Sequence, residues 1–119
     1  MEKAEPKERR RRKSVSLTDV LREPKHWGPI YWDAYDVVVK TYPRRPTKRE
    51  RVAAIQYFSS QKYLIPCKTC AGNYRSIYKQ YPPRVESREA LQKWLDIVKV
   101  EVAKHKAAER DAKASKRDK

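Results

Sequence analysis

The sequence predicts an all-α fold, a four-helix bundle with one additional short helix. Glycine, which destabilises helix interiors, occurs only twice in the 119 residues, whereas alanine, leucine, lysine, arginine and glutamate are plentiful. Apolar residues recur at helical spacing in four segments, and prolines bound the short connections between them. Hydrophobic residues make up 39% of the chain, which is enough for one small core and therefore for one folded domain.

A short helix is expected before the bundle, because Ser16 and Asp19 form a capping-box pattern and a proline follows a few residues later. The first long helix is predicted over residues 28–41, since it opens on a Gly-Pro pair and proline is favoured at a first helical position. Its buried stripe is predicted to be Ile30, Ala34, Val37, Val38 and Thr41, with Tyr31 and Tyr35 beside it.

The other long helices are predicted over residues 47–64, 67–81 and 88–102. Thr47 and Glu50 form a capping box at the start of the first of these, and prolines separate it from the next. The last helix has the longest apolar stripe. Residues 97–102 also alternate as in a strand, but we predict a helix there because the stripe is longer and a lone strand would lack a partner. Its buried positions are predicted to be Leu91, Trp94, Leu95, Val98, Val102 and, one turn further, His105.

The net charge of +15 is concentrated at the termini. We expect a basic N-terminal arm over residues 1–13, a helical domain over 14–104 and a basic C-terminal tail over 105–119. Arms of this kind bind acidic protein surfaces or nucleic acid, and the alternative is a disordered, solubilising tail. Charge alone also leaves open a nucleic-acid-binding helical domain, although no groove-reading motif supports it.

The sequence contains no secretory signal and no apolar stretch long enough to span a membrane. We therefore expect a cytoplasmic chain that is neither secreted nor bound in a membrane. In that compartment a structural disulfide is rare, and a paired cysteine motif is more often redox-active or metal-binding.

Cys67 and Cys70 form a Cys-x-x-Cys pair at the start of the third predicted long helix. The N–H groups and the dipole of the helix start point at the first sulfur, and Lys68 lies between the two cysteines. Both features favour the thiolate, which is the nucleophile. Two cysteines on one helical turn can close a disulfide, so we predict thiol–disulfide exchange and an oxidised pair in the resting protein.

Two other interpretations of the pair stay open. Zinc would need two further ligands, and the two histidines, His26 and His105, have a spacing that fits no zinc pattern. The two thiols could also be inert and buried.

Aromatic residues are unusually numerous for so small a core, with three tryptophans and eight tyrosines. Each of them can serve core packing, and as a set they can also hold a flat ring such as an isoalloxazine or an adenine.

The aromatic and cysteine motifs follow one another in the order His26-Trp27-Gly28-Pro29-Ile30-Tyr31-Trp32, Tyr42-Pro43, Pro66-Cys67-Lys68-Thr69-Cys70, Tyr74, Pro82-Pro83 and Trp94. This order and spacing resemble the Erv/ALR family of FAD-dependent sulfhydryl oxidases. The similarity covers about residues 26–104. A compact chain with a single cysteine pair looks most like the small members found in large DNA viruses of the cytoplasm.

The resemblance implies a five-helix fold with FAD in the mouth of a four-helix bundle, usually as a homodimer. It implies that the Cys67–Cys70 disulfide accepts electrons from a dithiol protein substrate, which Cys67 meets as the interchange thiol. Cys70, nearer the flavin, would form a charge-transfer contact and pass two electrons to FAD, which oxygen reoxidises to give hydrogen peroxide. The residues implied to contact FAD are Trp27, Gly28, Trp32, Asp36, Tyr74, Trp94, Lys99 and Val102.

The chain departs from the family's flavin signature at two places. The family has histidine at the position of Asp36, and His-Asn-x-Val-Asn over residues 99–103, where only Val102 is kept here. An acid near the phosphates of a dinucleotide repels them, and Val100 and Ala103 cannot hydrogen-bond adenine or ribose. The sequence therefore predicts weaker FAD binding than in members with the full signature.

These features predict an FAD-linked thiol oxidase that forms disulfides in partner proteins with oxygen as acceptor. The alternative is a non-enzymatic descendant of the fold that serves as a structural or adaptor protein, such as a virion component, and no longer binds FAD well. The intact cysteine pair favours the first, whereas the altered flavin signature and the basic arms favour the second. The viral resemblance makes host cytoplasm or a virion the expected location, and no metal is expected.

Overall fold

The computed structural model describes residues 16–117, most of which form five helices. The helices are α1 (Leu17–Leu21), α2 (Pro24–Thr41), α3 (Lys48–Leu64), α4 (Lys68–Gln80) and α5 (Arg88–Arg117). Over this described range no residue belongs to a strand. The predicted all-α fold with four long helices and one additional short helix is therefore confirmed. The predicted arm over residues 1–13 lies outside the described residues.

Helix α5 is the central element of the bundle. Close backbone contacts join it to α2 and to α4, and further contacts join α4 to α3 and α1 to α2. Helices α2 and α3 meet through tyrosine side chains instead. The Tyr35 hydroxyl donates to Gln61 Oε1 at 2.8 Å, and the Tyr31 hydroxyl donates to the Leu64 carbonyl at 3.4 Å.

The core is built on the apolar stripe of α5, as predicted. Trp94 is 1% exposed, its ring centroid lies 4.9 Å from that of Phe58, and its Nε1 donates to the Tyr81 carbonyl at 2.7 Å. Leu91 and Val98 are buried along the same stripe. A tryptophan this deeply buried with its N–H satisfied stabilises the contact of α3 with α5.

Side-chain caps define the starts of α1 and α3. The Ser16 hydroxyl accepts the N–H of Asp19 at 3.1 Å. The Thr47 hydroxyl accepts the N–H of Glu50 at 3.1 Å, and the Glu50 carboxylate accepts the N–H of Thr47 at 2.8 Å. The predicted capping box of α3 is therefore confirmed, and it satisfies N–H groups that have no partner inside the helix.

The buried face of α2 differs from the predicted one. Ile30 and Val37 are 63% and 60% exposed, whereas Tyr35, Val39 and Tyr42 are buried. The hydroxyls of both tyrosines donate to acceptors at 2.8 Å, so their rings can be buried without leaving a polar group unsatisfied. The predicted stripe was wrong by one residue, because the aromatic stripe beside it fills the core.

Two helix ends also differ from the predicted ones. Helix α2 begins at Pro24 rather than near Gly28, and it accommodates Pro29 close to its start. Helix α5 continues to Arg117, so the predicted boundary between the domain and the tail over 105–119 falls inside a helix. The residues after Val102 are mainly alanine, lysine, arginine and glutamate, which propagate a helix that packing has already started.

Candidate active site

An aromatic cleft lies at one end of the bundle, between the first halves of α2 and α4 and the middle of α5. Its enclosed volume is about 150 Å³. Its lining residues are Pro24, Trp27, Gly28, Tyr31, Trp32, Tyr35, Ile65, Cys70, Asn73, Tyr74, Val98, Val102, His105, Lys106 and Glu109.

The inner wall of the cleft is apolar although tyrosines form much of it. The hydroxyls of Tyr31, Tyr35 and Tyr74 all donate to acceptors on α3, and the Tyr74 bond to the Phe58 carbonyl measures 2.7 Å. Burial raises the pKa of Tyr35 and of Tyr74 above the ordinary value, which keeps both neutral. Their rings are therefore left to line the cleft, and such a wall suits a flat apolar ligand.

The cysteine pair lies at the start of α4. Cys67 is the N-cap residue of α4, which begins at Lys68, one position later than predicted, and the Cys67 Sγ accepts the N–H of Cys70 at 3.2 Å. Both cysteines are free thiols in the structure, which therefore describes the dithiol form. An oxidised resting pair stays a prediction.

The two cysteines have different environments. Cys70 lines the cleft and Cys67 does not. Burial, followed by the hydrogen bond with Cys67, raises the pKa of the Cys70 thiol to about 12. The charge of Glu109 raises this pKa further, whereas the charge of Lys106 lowers it. Cys70 is thus a protonated thiol facing the cleft at neutral pH.

A polar rim closes the cleft near Cys70. Asn73 Nδ2 donates to Glu109 Oε2 at 3.2 Å, which ties α4 to α5, and His105 and Lys106 lie beside this contact on the lining. The sequence prediction missed Asn73 and Glu109 as site residues. A signal was present, because Glu109 follows His105 by one helical turn and continues the α5 stripe.

Five of the residues predicted to contact a flavin line the cleft together, namely Trp27, Gly28, Trp32, Tyr74 and Val102. The structure does not bring the other three into the lining. Trp94 is buried in the core against Phe58. Asp36 and Lys99 instead form an ion pair with each other.

The ion pair lies next to the aromatic wall. Lys99 Nζ is 2.8 Å from Asp36 Oδ1 and 6.0 Å from the centroid of the Trp32 ring. The Lys99 side chain is 39% exposed and the Asp36 side chain 29% exposed, so the ion pair is partly buried. Asp36 and Lys99, the residues at two positions where the sequence departs from the flavin signature, therefore neutralise each other's charge.

Within residues 16–117 no group of three or more histidine, cysteine, aspartate or glutamate side chains could hold a metal ion. In the same part of the chain, every helix is too short or too polar to cross a lipid bilayer.

The model of the Erv1 / Alr family matches residues 30–118 of this chain. A relative from Acanthamoeba polyphaga mimivirus, named "Probable FAD-linked sulfhydryl oxidase R368", is 36% identical over 78 residues, which are 62% of this chain and 54% of the relative. The mitochondrial FAD-linked sulfhydryl oxidase ERV1 of Saccharomyces cerevisiae is 30% identical over 68 residues, 57% of this chain and 36% of the relative.

A relative from Invertebrate iridescent virus 6, whose name also contains FAD-linked sulfhydryl oxidase, is 30% identical over 70 residues, 56% of this chain and 61% of the relative. The chain thus spans between about a third and about six tenths of the length of these three proteins.

Proposed function

Because this chain belongs to the Erv1 / Alr family, we propose that it is an FAD-linked thiol oxidase that forms disulfides in partner proteins through Cys67 and Cys70, with oxygen as acceptor. The observation that carries this proposal is the asymmetry of the pair, since Cys70 borders the aromatic cleft and Cys67 lies outside it. One cysteine can meet a substrate thiol while the other faces a ring held in the cleft.

The cleft fits the ring system of a flavin. Its aromatic walls suit a flat ring, and its volume of about 150 Å³ is below the roughly 300–1,000 Å³ of pockets that bury a drug-sized ligand, so a whole dinucleotide would extend out of it. Trp27, Trp32 and Tyr74 would hold the ring, and Lys106 offers a cation for phosphates at the rim. When bound, FAD supplies the acceptor for two electrons and their transfer to oxygen.

The cysteines perform the exchange. A substrate thiolate attacks Cys67 Sγ, the Cys67–Cys70 bond breaks, and Cys70 leaves with the electron pair. A second substrate thiolate attacks the substrate sulfur of this mixed disulfide, which releases Cys67 and completes the substrate disulfide. The substrate loses two electrons and the cysteine pair gains them. Because its pKa is about 12, Cys70 takes up a proton at neutral pH.

The purified chain, supplemented with FAD, should retain flavin absorbance through gel filtration and consume oxygen when a dithiol is added. We expect the flavin to be lost on dilution sooner than from relatives with the full signature, because the polar residues at positions 99, 100 and 103 are replaced. Absence of both flavin retention and oxygen uptake at excess FAD would contradict the oxidase proposal.

That negative result would support the alternative, a structural or adaptor protein that has kept the fold without the cofactor. The Asp36–Lys99 ion pair favours this alternative, because it occupies two positions of the flavin signature with groups that satisfy each other. Under either function the viral relatives favour host cytoplasm or a virion as the location.

We also propose that a second copy covers the outward face of α2. Ile30 and Leu64, 63% and 62% exposed, line a shallow groove between α2 and α3 together with Ala34. A contiguous apolar groove of this kind is typical of an interface.

Sedimentation should give a dimer of the 14.2 kDa chain, and Ile30→Glu should give monomers. The matched change Val52→Glu, at another exposed apolar position of α3, should leave the dimer intact; a monomeric parent chain would contradict the proposal.

A further inference from the structure

The segment that carries the cysteine pair, from Arg51 in α3 to the end of α4, contains basic residues and no acidic ones. Between Glu50 and Glu86 the sequence contains no acidic residue, although the whole chain has fifteen. The same segment contains six basic residues, Arg51, Lys62, Lys68, Arg75, Lys79 and Arg84. Among the described residues, only Arg84 of these six forms a salt bridge, with Glu86. A surface of this charge attracts an acidic partner.

Part of this charge lines a groove between the second half of α3 and α4. We call it the basic groove, and it is lined by Lys62, Tyr63, Arg75, Tyr78, Lys79 and Pro82. Lys62 Nζ lies 4.0 Å from the centroid of the Tyr78 ring, and the Arg75 guanidinium lies 5.5 Å from the centroid of Tyr63. Arg75 Nη1 also donates to the Lys62 carbonyl at 2.8 Å, which fixes its position. Lys62 and Arg75 are therefore held in place by these contacts.

The basic groove lies close to the cysteine that meets the substrate. Tyr63 is four residues before Cys67. Four residues of chain span at most about 14 Å, so a few extended residues of a bound polypeptide reach from Cys67 to the groove. A substrate whose thiol is attached to Cys67 would therefore have neighbouring residues within reach of the Tyr63 end of the basic groove.

We propose that the basic groove binds an acidic segment that flanks the dithiol of the protein substrate. Carboxylates of that segment would pair with Lys62, Arg75 and Lys79 and would select acidic dithiol partners over neutral ones. The inference rests on the proposed function only in its choice of Cys67 as the thiol that the substrate meets.

A polypeptide fits the basic groove better than a nucleic acid does. Single-stranded nucleic acids bind by stacking bases on open aromatic faces. Here each tyrosine ring of the groove already has a cation over one face, Lys62 on Tyr78 and Arg75 on Tyr63. The groove is also short, since only six residues line it, whereas a single-stranded nucleic acid needs a groove that follows many phosphates.

The test uses the full chain carrying Cys70→Ser and two peptides with one cysteine each, flanked by glutamates in one and by glutamines in the other. Each peptide cysteine is activated as a mixed disulfide with thionitrobenzoate. Cys67 attacks the peptide sulfur, the new disulfide forms, and the coloured thionitrobenzoate leaves with the electron pair. Its release measures the capture rate without FAD or oxygen.

We expect the acidic peptide to be captured about tenfold faster than the neutral one at low salt, with the difference shrinking as salt is added. The triple change Lys62→Gln, Arg75→Gln and Lys79→Gln should bring the two rates within about twofold. The control variant removes the same charge from a basic surface away from the cysteines, and it should keep the preference for the acidic peptide. Its three changes are Lys40→Gln, Arg44→Gln and Lys93→Gln. The single change Lys79→Glu, at an exposed position, gives the same test if the triple variant fails to fold.

Equal capture of both peptides by the parent chain would overturn the proposal, as would an equal loss of preference in the control. A single-stranded oligonucleotide that displaces a cysteine-free acidic peptide of equal charge at lower concentration would assign the groove to nucleic acid instead. Because the assay needs neither flavin nor oxygen, a failed oxidase assay with preserved acidic preference would reject the proposed function alone.

Discussion

Replacing Cys70 with serine should abolish oxygen-dependent oxidation of dithiols, by at least about 1,000-fold, while leaving Cys67 able to capture a thiol partner. The reason is the division of roles between the two sulfurs. Cys70 borders the cleft, and in the proposed exchange it is the sulfur that leaves when the Cys67–Cys70 bond breaks. Without Cys70 the mixed disulfide on Cys67 cannot be resolved inside the chain, so the captured peptide should stay attached.

The matched variant Cys67→Ser should also lose oxidase activity, but it should capture activated peptides at least about 100-fold more slowly at neutral pH than the Cys70→Ser variant does. Burial is the largest cause that raises the pKa of Cys70 to about 12, and it remains in Cys67→Ser although the contributions of Cys67 are lost, so this thiol should stay mostly protonated at neutral pH. Its capture rate should therefore rise as the pH is raised toward that value, because the thiolate fraction rises.

Mass spectrometry can assign each captured peptide to one sulfur. Trypsin cleaves after Lys68, so the two cysteines fall in separate peptides over residues 63–68 and 69–75. In the Cys70→Ser variant, where the captured peptide stays attached, capture at neutral pH should appear on the first of these tryptic peptides. Equal capture by Cys67→Ser and Cys70→Ser would show that the two sulfurs are interchangeable, and the proposed roles would then be wrong.

The sequence predicted the fold because its helix boundaries are set by local chemistry. The cap at Thr47 and the prolines after α3 and α4 act within a few residues, so they can be read without knowledge of the packing. The buried face of α2 could not be read in this way. Two apolar stripes run side by side on this helix, and the choice between Ile30 and Tyr35 depends on whether the tyrosine hydroxyl finds an acceptor on α3.

The candidate site was predicted as far as its sequence motifs extend. Cys70, Trp27 and Trp32 belong to short motifs, and all three line the cleft. Asn73 and Glu109 carry no motif, because their relevance comes from a contact between α4 and α5 over 36 positions of the chain. This contact requires α5 to extend at least to Glu109, whereas the predicted helix ended at residue 102.

The largest expected effect on cofactor binding comes from removing the charge of Lys99. We expect Lys99→Met to weaken FAD binding by at least about tenfold, which corresponds to roughly 1.4 kcal/mol. In the structure Lys99 neutralises Asp36 at 2.8 Å beside the Trp32 wall of the cleft. Without Lys99 an unpaired carboxylate stays next to the site of an anionic dinucleotide, and a nearby cation is lost as well. Titration of the protein with FAD, followed by flavin fluorescence, measures this change.

The chain offers a matched control in a second ion pair on α5. Lys104 Nζ lies 3.1 Å from Glu101 Oε2, and neither residue lines the cleft, so Lys104→Met should change FAD affinity by less than about twofold. Adding Asp36→Asn to Lys99→Met should restore part of the affinity, since the repelling carboxylate is then gone. Equal effects of the Lys99 and Lys104 changes would mean that net charge alone is responsible. An unchanged affinity in Lys99→Met would mean that FAD, if bound, does not approach this ion pair, and the residues at 36 and 99 would then have no part in cofactor binding.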